Sequence, residues 1–288
     1  MREEVKINRL KTEQRGRDVI ITGVSHFDLS QTLDCGQAFR WSECEDGSFS
    51  GIAHGRRLDI SLDQNELALK NCTVEEFHDT WKNYFGFGRD YEALREEFAG
   101  EENLIKALEF SPGLRLMRQD TWETLVSFIL SQHTNIPRIK KMVTTLCETL
   151  GNPLPCGGFT FPTPEKIASA NASDLAPIKA GYRTKYVIDA ACQVAGKKID
   201  LTALEHQPTA DVKKALLSIL GVGPKVADCV LLYGFGREEC YPVDVWIKRA
   251  MTKLYPGGFP DSLKNQAGIA QLFLFHYIRH GGEAPGHA

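Results

Sequence analysis

The sequence predicts an α+β protein in which a domain built on an antiparallel sheet, residues 1–115, precedes a mainly helical domain, residues 116–288. Two observations lead to this prediction. Short runs in which apolar and polar residues alternate fall within the first hundred residues, as in half-buried strands. After Ser111, apolar residues instead recur every three or four positions, as on one face of a helix. A chain of 288 residues is long enough for two such domains.

The first domain is predicted to contain short strands followed by one helix. Turn-forming residues such as Asp46-Gly47, Gly55 and Asn65 separate the strands. The helix is expected over TVEEFHDTWKNYFG (73–86), where aromatic residues fall at helical spacing. The predicted strands are VIITGV (19–24), AFRW (38–41), FSGIAH (49–54), LDISL (58–62) and ELALK (66–70).

The second domain is predicted to consist of helices whose ends are recognisable. Asp120 and Glu123 form a capping box at the start of one helix. Pro137 suits the first turn of the next helix, and Gly151 ends it before a loop rich in proline and glycine, residues 151–164. Shorter helices are expected over Pro164–Ala170 and Lys185–Ala195.

The composition argues against several classes of protein. No apolar run approaches the roughly 18 residues of a membrane span, and the N-terminus lacks the apolar stretch of a secretory signal. The eight cysteines include no C-x-x-C pair, which indicates reduced thiols in an intracellular protein and no zinc ribbon or iron–sulfur cluster. We therefore expect no metal centre of these kinds, and a location in the cytoplasm or nucleoid of a prokaryote or the nucleus of a eukaryote.

The charge of the chain is unevenly distributed. The formal net charge is −3, but residues 41–110 carry 7 basic and 16 acidic side chains, whereas residues 111–198 carry 11 basic and 6 acidic ones. A basic middle joined to an acidic first part would suit a polyanion-binding domain attached to a scaffold. Ordinary scatter of charges on solvated faces explains the same counts equally well. Charge alone therefore leaves nucleic-acid binding open.

The stretch GVGPKVADC (221–229) predicts a turn between two helices. Asp211 is expected to cap the helix before it, and Pro224 suits the first turn of the helix after it. Gly221 and Gly223 would supply the positive φ angles that a tight turn needs. Unpaired backbone N–H groups at the start of the second helix could bind a DNA phosphate. A simple corner between two helices has the same glycines, so the turn alone leaves both interpretations open.

Lys225 and Asp244 are the candidate catalytic residues. Lys225 lies in the first turn of the predicted helix, where the helix dipole disfavours the ammonium form and favours the neutral amine that attack on carbon requires. Asp244 follows Pro242 and is placed to cap a helix that begins at Val245. A carboxylate at this place could also stabilise the cationic sugar that forms when an N-glycosidic bond breaks. The residues alone do not choose between the cap and the catalytic role.

Taken together, these motifs resemble those of the helix-hairpin-helix DNA glycosylase superfamily, and more narrowly the 8-oxoguanine DNA glycosylases. The hairpin LGVGPKVADC and the loop that ends in PVD carry the broader resemblance. Five further stretches, in family order along the chain, carry the narrower one: CGQAFRW (35–41), NYFGFGRDY (83–91), NIPRI (135–139), AGYRTKYV (180–187) and AGIAQLFLFHYIRH (267–280). The resemblance implies a TBP-like N-terminal sheet domain followed by a helical catalytic domain with the hairpin.

The resemblance also implies a chemistry. The enzyme would excise 8-oxoguanine from duplex DNA, with cytosine as the expected opposite base, and would also act as an AP lyase. Lys225 matches the nucleophile that attacks C1′ and forms a Schiff base, and Asp244 matches the carboxylate that stabilises the sugar cation. No nucleotide cofactor is expected, a monovalent cation at the hairpin carbonyls is implied, and the enzyme is expected to be a monomer.

Base and DNA contacts carry over residue by residue. Gly36 matches the glycine whose carbonyl accepts the N7–H that 8-oxoguanine has and guanine lacks. Gln271 matches the reader of the Watson–Crick edge, and Phe275 and Cys229 match the two walls of the base pocket. The residues that match contacts to the duplex and to the orphaned cytosine are His133, Arg138, Tyr182, Arg183, Gly221, Gly223 and Trp246.

Two positions depart from the pattern of eukaryotic relatives. Those proteins carry histidine at the position of Trp246 and tend to carry asparagine at that of His133. Both departures leave the chemistry intact and leave the preference for the opposite base open. Two other functions are also compatible with the fold: excision of alkylated bases by a member of the same superfamily, and DNA binding without catalysis. Lys225 argues against the first, because members of that kind typically lack the hairpin lysine.

Overall fold

The computed structural model describes residues 10–282. Within that range a six-stranded sheet has the order β1-β2-β6-β5-β4-β3, and every neighbouring pair is antiparallel. The strands are β1 Lys11–Arg15, β2 Asp18–Thr22, β3 Trp41–Glu43, β4 Phe49–Ala53, β5 Arg56–Asp63 and β6 Glu66–Lys70. The predicted antiparallel sheet is therefore confirmed.

The strand predicted at AFRW is wrong in its bounds, because β3 begins only at Trp41. The residues before it are held by contacts to other parts of the chain: Gln119 Nε2 bonds to the carbonyl of Gln37, and the Arg40 guanidinium bonds to the carbonyl of Phe159. The strand β1 was not predicted. Its sequence, KTEQR, is polar and almost fully exposed at the sheet edge, so it lacks the alternation that marks a half-buried strand.

Helices cover the sheet and form the rest of the chain. In the first half they are α1 Leu29–Leu33, α2 (Val74–Glu76, Phe77–Trp81 and Lys82–Tyr84 in one run), α3 Tyr91–Glu97, α4 Glu102–Phe110, α5 Thr121–Leu130 and α6 Ile136–Leu150. In the second half they are α7 Pro164–Ala168, α8 Arg183–Ala195, α9 Leu201–Leu204, α10 Thr209–Leu217, α11 Pro224–Cys229, α12 Val245–Leu254 and α13 Ala267–Arg279. Single 3-10 turns lie at Ala176–Ile178 and Asp261–Gln266.

The predicted helix starts are confirmed in part. The Asp120 carboxylate accepts the Glu123 N–H at the start of α5, as a cap does, but the Glu123 carboxylate pairs with Arg40 instead of completing the capping box. Pro137 lies in the first turn of α6, as expected. Asp211 is not a cap: α10 begins after Pro208, so this residue lies inside the first turn.

Two hydrophobic cores hold the structure together. The smaller lies under the sheet, between residues such as Phe49 and Ile60 of the strands and Phe77 and Trp81 of α2. The larger joins the helices. Helices α3 and α4 precede the predicted boundary at residue 115, yet their buried side chains belong to the larger core. The boundary itself stays a prediction. None of the helices within residues 10–282 is long and apolar enough to cross a membrane.

Candidate active site

The hairpin between α10 and α11 is built as predicted, with one difference. Gly221 has a φ of +80°, and a Cβ there would lie 2.3 Å from the ring of Tyr186. Gly223 has a φ of −92° and open space around it, so the expectation of positive φ holds for Gly221 alone. Among residues 10–282 no side chain caps α11, so the N–H groups of its first turn have no side-chain acceptor there. This is the arrangement in which a helix start can bind a phosphate.

Lys225 lies in the first turn of α11 and faces α5. Its Nζ is 3.5 Å from Ser131 Oγ and 4.9 Å from the centroid of the Phe128 ring. The half-buried ammonium group therefore rests between a hydroxyl and an aromatic face. The helix continues beyond Cys229 as a wider π-helical turn, Val230–Gly234.

Asp244 caps α12, as predicted. Its Oδ1 accepts the backbone N–H of Trp246 at 3.0 Å and that of Ile247 at 2.8 Å. These two bonds fix the carboxylate at the helix start. The same side chain borders the space that Lys225 borders, so the cap and a catalytic role are compatible in one residue.

A small cavity of about 50 Å³ lies between α5, α11 and α13. Its lining includes all six residues predicted for catalysis and base binding: Gly36, Lys225, Cys229, Asp244, Gln271 and Phe275. The structure thus brings together side chains that are more than 200 positions apart in the chain. We call this space the base cavity. This volume is too small for a purine, so the cavity has to widen before a base enters.

The base cavity opens into a larger cleft of about 600 Å³. Gly36, Phe128, Lys225, Asp244 and Phe275 line both spaces and form the passage between them. The cleft is also bordered by residues predicted to contact DNA: His133, Gly223 and Trp246. A strand in the cleft would therefore pass directly over the entrance to the base cavity.

Besides Lys225 and Asp244, the lining of the base cavity carries neutral polar side chains, among them Gln271 and Cys229. Gln271 is 4% exposed, and its side-chain Oε1 is buried with no hydrogen-bond partner among the described residues. Burial raises the pKa of the Cys229 thiol to about 11, so the thiol stays protonated. An unpaired buried acceptor costs free energy unless a ligand supplies a donor.

Gly36 lies in a loop that is fixed from several directions. Its φ is +97°, and a Cβ would lie 2.5 Å from Ile136 Cδ1. On either side of it, Lys140 Nζ bonds to Asp34 Oδ1 at 2.6 Å and to the carbonyl of Trp41 at 2.9 Å. Helix α6 therefore holds both ends of the loop that carries Gly36.

The residues predicted to contact DNA differ in their surroundings. His133 and Arg138 are exposed at the start of α6, and the ring of Tyr182 is 46% exposed. Arg249 lies over the ring of Trp246 at 4.8 Å. Arg183 is different, because it is only 5% exposed.

The Arg183 guanidinium donates to carbonyls of the protein itself. Its Nε bonds to Gln132 O at 2.8 Å, Nη2 bonds to His133 O at 3.2 Å, and Nη1 bonds to Ala180 O at 3.1 Å. It thereby supports the turn in which His133 adopts a φ of +47°. The structure therefore places Arg183 behind the candidate DNA surface. Its predicted contact with the orphaned cytosine stays a prediction.

Sequence reasoning missed Phe128, Ser131, Tyr233 and Lys140. Phe128 and Tyr233 lie on stripes of apolar residues, where core packing is the ordinary interpretation. One signal was available for Tyr233, because it follows Cys229 by four positions and so faces the same side of one helix.

Comparison with known proteins identifies the family. Residues 19–125 match the model of the 8-oxoguanine DNA glycosylase N-terminal domain, and residues 126–263 match that of the HhH-GPD superfamily of base excision DNA repair proteins. An N-glycosylase/DNA lyase of Saccharomyces cerevisiae is 38% identical over 80% of this chain and 69% of its own.

Two solved structures have the same fold. One, MBOgg1 in complex with a low-affinity DNA ligand, is 40% identical and superposes with a TM-score of 0.90 over 96% of this chain and 100% of that one. The other, the Clostridium acetobutylicum 8-oxoguanine glycosylase/lyase bound to DNA with cytosine opposite the lesion, is 32% identical, with a TM-score of 0.88 over 94% and 98% of the two chains. With the fold, the hairpin lysine and the base cavity in place, the chain belongs to the 8-oxoguanine DNA glycosylase family of the helix-hairpin-helix superfamily.

Proposed function

We propose that this protein excises 8-oxoguanine from duplex DNA, with cytosine as the expected opposite base, and cleaves the resulting abasic site as an AP lyase. The observation that carries the proposal is the shared lining of the base cavity, where an amine, a carboxylate and the four base-binding residues converge. A flipped nucleotide would place its base in the cavity and its sugar in the passage, next to Lys225. An enzyme that acts on C1′ needs this arrangement, since the atom is unreachable in a stacked duplex.

Lys225 is the nucleophile in this proposal. Its neutral amine forms a bond to C1′ while the bond from C1′ to the base nitrogen breaks, and the base leaves with that electron pair and takes up a proton. The sugar ring opens to a Schiff base with Lys225. Loss of a proton from C2′ then expels the 3′ phosphate in β-elimination. The Asp244 carboxylate, fixed by its two cap bonds, stabilises the positive charge that develops on the sugar.

Recognition of the lesion rests on the walls of the base cavity. The Gly36 carbonyl would accept the N7–H that distinguishes 8-oxoguanine from guanine. Gln271 supplies a buried oxygen without a partner, which a base donor would satisfy. Phe275 and Cys229 would lie on the two faces of the ring. When the wrong base enters, polar groups of the site remain without hydrogen-bond partners. Such a site discriminates between two bases more strongly than one that relies on apolar packing alone.

The surface around the cleft would hold a bent duplex. The start of α11 would bind a backbone phosphate, with Gly221 forming the tight turn and the open space at Gly223 allowing close approach. Tyr182 would fill the vacated stack, and the exposed His133 and Arg138 would contact the orphaned base. Trp246 would donate its ring N–H to a phosphate. Unstacking costs a few kcal/mol, which these contacts would offset.

We also propose a monovalent cation at the hairpin, for which backbone carbonyls would be the ligands. The Ile219 carbonyl accepts from Val222 N at 3.1 Å, and the Gly221 carbonyl accepts from Gln132 Nε2 at 3.1 Å. Each carbonyl oxygen has a second lone pair, so both can also bind a cation. We further propose that the protein acts as a monomer, inside the cell and wherever its DNA is, in the nucleoid or the nucleus.

Borohydride trapping tests the proposal. On a duplex with 8-oxoguanine opposite cytosine, the protein should form a covalent adduct that Lys225→Gln abolishes. The same assay on duplexes with alkylated bases distinguishes the other glycosylase function. Excision of alkylated bases with no adduct on the 8-oxoguanine duplex would contradict the proposal, as would DNA binding with no excision of any base.

A further inference from the structure

Tyr233 is a pocket residue with no assigned role. It lies in the π-helical turn Val230–Gly234, four positions after Cys229 and eight after Lys225. It lines the base cavity together with those two residues. Its side chain is 6% exposed, so it belongs to the wall of the cavity and not to the open surface.

The ring of Tyr233 is held in a fixed position. It stacks on the ring of Phe128, with centroids 5.4 Å apart and an angle of 10° between the planes. Phe128 is itself 4% exposed, and Lys225 Nζ lies 4.9 Å from the centroid of its ring. A stacked and buried ring has little freedom to turn, so its hydroxyl is directed by the protein.

Tyr233 shares the lining of the base cavity with the groups that act electrostatically on its phenol. The charged or chargeable side chains that act on it are those of Cys229, Cys35 and Asp244, and all three line the cavity. Burial holds the pKa of the phenol well above its usual value of 10. The group therefore stays an O–H and remains a hydrogen-bond donor.

We propose that the Tyr233 hydroxyl is a specificity-determining contact that donates a hydrogen bond to a carbonyl oxygen of the flipped purine. This rests on the proposed function, because it assumes that an oxidised purine enters the base cavity. A buried tyrosine hydroxyl normally finds a partner, and 8-oxoguanine carries carbonyl oxygens at both C6 and C8. In the same cavity, the unpartnered Gln271 Oε1 can accept a hydrogen bond from the base. The carbonyl oxygens of the base need a donor in turn, and the Tyr233 hydroxyl can supply it.

Tyr233→Phe tests this with one atom removed. The ring and its stacking on Phe128 remain, so we expect the protein to fold and its Tm to stay within a few degrees. We expect kcat/KM for excision of 8-oxoguanine to fall by about tenfold, as for loss of one buried hydrogen bond to a ligand. Cleavage of a preformed abasic site should stay within twofold, because no base occupies the cavity in that reaction.

Tyr255→Phe is the matched control. Tyr255 is also buried, its hydroxyl has no hydrogen-bond partner among the described residues, and its ring packs on Phe259, away from the base cavity. Tyr255→Phe should leave excision of 8-oxoguanine and cleavage of a preformed abasic site within twofold of the wild-type rates. Binding gives a second measurement: in a Lys225→Gln background, Tyr233→Phe should weaken the Kd for an 8-oxoguanine duplex and not that for a tetrahydrofuran abasic duplex.

The outcomes separate the two proposals. Equal excision by the wild type and Tyr233→Phe overturns the role of Tyr233 while leaving the proposed function intact. An equal fall in excision and in abasic-site cleavage also overturns it, since it would indicate a structural effect on Lys225. Failure of the wild type itself to excise 8-oxoguanine overturns the proposed function and, with it, the role of Tyr233.

Discussion

The ammonium group of Lys225 lies 4.9 Å from the centroid of the Phe128 ring, so an aromatic face of α5 positions the candidate nucleophile of α11. The contact stabilises the ammonium form and not the reacting neutral amine, so the ring's contribution to catalysis is the position of Nζ. Phe128→Leu should slow Schiff-base formation by about five- to tenfold on abasic duplexes through misplacement of the amine, and by at least as much on 8-oxoguanine duplexes, where the ring also holds Tyr233. Single-turnover trapping measures both rates. A loss confined to the 8-oxoguanine duplex would contradict a role of Phe128 through Lys225.

Asp244 combines a cap with a charge, and two variants separate them. Asp244→Asn should keep the cap, since asparagine caps helices well, and should lower Tm little while trapping falls strongly. Asp244→Ala should lose the charge and the cap together and destabilise the fold by about 0.5–2 kcal/mol more. Thermal unfolding and trapping are measured on both variants. If Asp244→Asn forms the trapped adduct with DNA as fast as the wild type, Asp244 acts only as a helix cap.

The two hairpin glycines should behave differently. Gly221→Ala puts a Cβ at a φ of +80° and 2.3 Å from the Tyr186 ring, so we expect a loss of about 2 kcal/mol or more in the free energy of unfolding. Gly223→Ala has open space and a φ of −92°, so Tm should be unchanged. Its Kd for duplex DNA should rise if a phosphate approaches this backbone. Unchanged DNA affinity in Gly223→Ala would argue against a close phosphate contact there.

Arg138 and Arg183 form another contrasting pair. Arg183→Lys loses the planar fork that bonds to three carbonyls, so it should destabilise the fold by about 2 kcal/mol. Arg138→Ala removes an exposed side chain and should leave Tm unchanged while weakening affinity for DNA. Denaturant unfolding and binding isotherms measure these effects. A stable Arg183→Lys with altered choice of opposite base would instead favour the predicted DNA contact.

Glu123 should make stability depend on pH. Burial raises the pKa of its carboxyl from 4.5 to about 7, while Arg40 opposes the shift and Asp120 adds to it. The folded state therefore binds a proton more tightly than the unfolded state, and the stability from this group is present below about pH 4.5 and is lost as pH rises through 7. Glu123→Gln mimics the protonated form.

The measurement is the difference in unfolding free energy between Glu123→Gln and the wild type across pH 5–8. That difference should rise with pH, by on the order of 2–3 kcal/mol in total. The His276 imidazole, whose pKa burial lowers to about 4, titrates in both proteins, so its contribution cancels. A flat difference would contradict the raised pKa of Glu123 in the folded state.

The sequence predicts the parts of this molecule that depend on local pattern. The alternating strands after β1, the cap of α12 by Asp244 and the turn at Gly221 all follow from the chemistry of a few neighbouring residues. β1 was missed because an exposed edge strand has no alternating pattern. The strand at AFRW was misplaced because two long-range bonds override the local preference: Arg40 donates to the carbonyl of Phe159, and the carbonyl of Gln37 accepts from the Gln119 side chain.

The candidate site was predictable from the order of its motifs and not from its geometry. Gly36, Lys225 and Gln271 are far apart in sequence, and only family resemblance placed them in one pocket. Tyr233 and Lys140 were missed because tertiary contacts decide their roles. The burial of Arg183 likewise depends on the carbonyls of another segment, which the run AGYRTKYV does not reveal.

Gly36 and Lys225 come from opposite sides of the domain boundary predicted at residue 115. Ile136, which belongs to the second domain, packs on Gly36 and so helps to hold Gly36 in place relative to Lys225. We therefore expect base selection and the reactivity of the amine to be lost at different temperatures. As heat loosens that packing, selection of the base should fail first, while the amine held by Phe128 and Ser131 still reacts with abasic sites. We expect the ratio of excision to abasic-site cleavage to fall at a lower temperature than global unfolding. The accuracy of the enzyme is then no more stable than the contacts by which α6 holds one loop, the packing of Ile136 on Gly36 and the two bonds of Lys140.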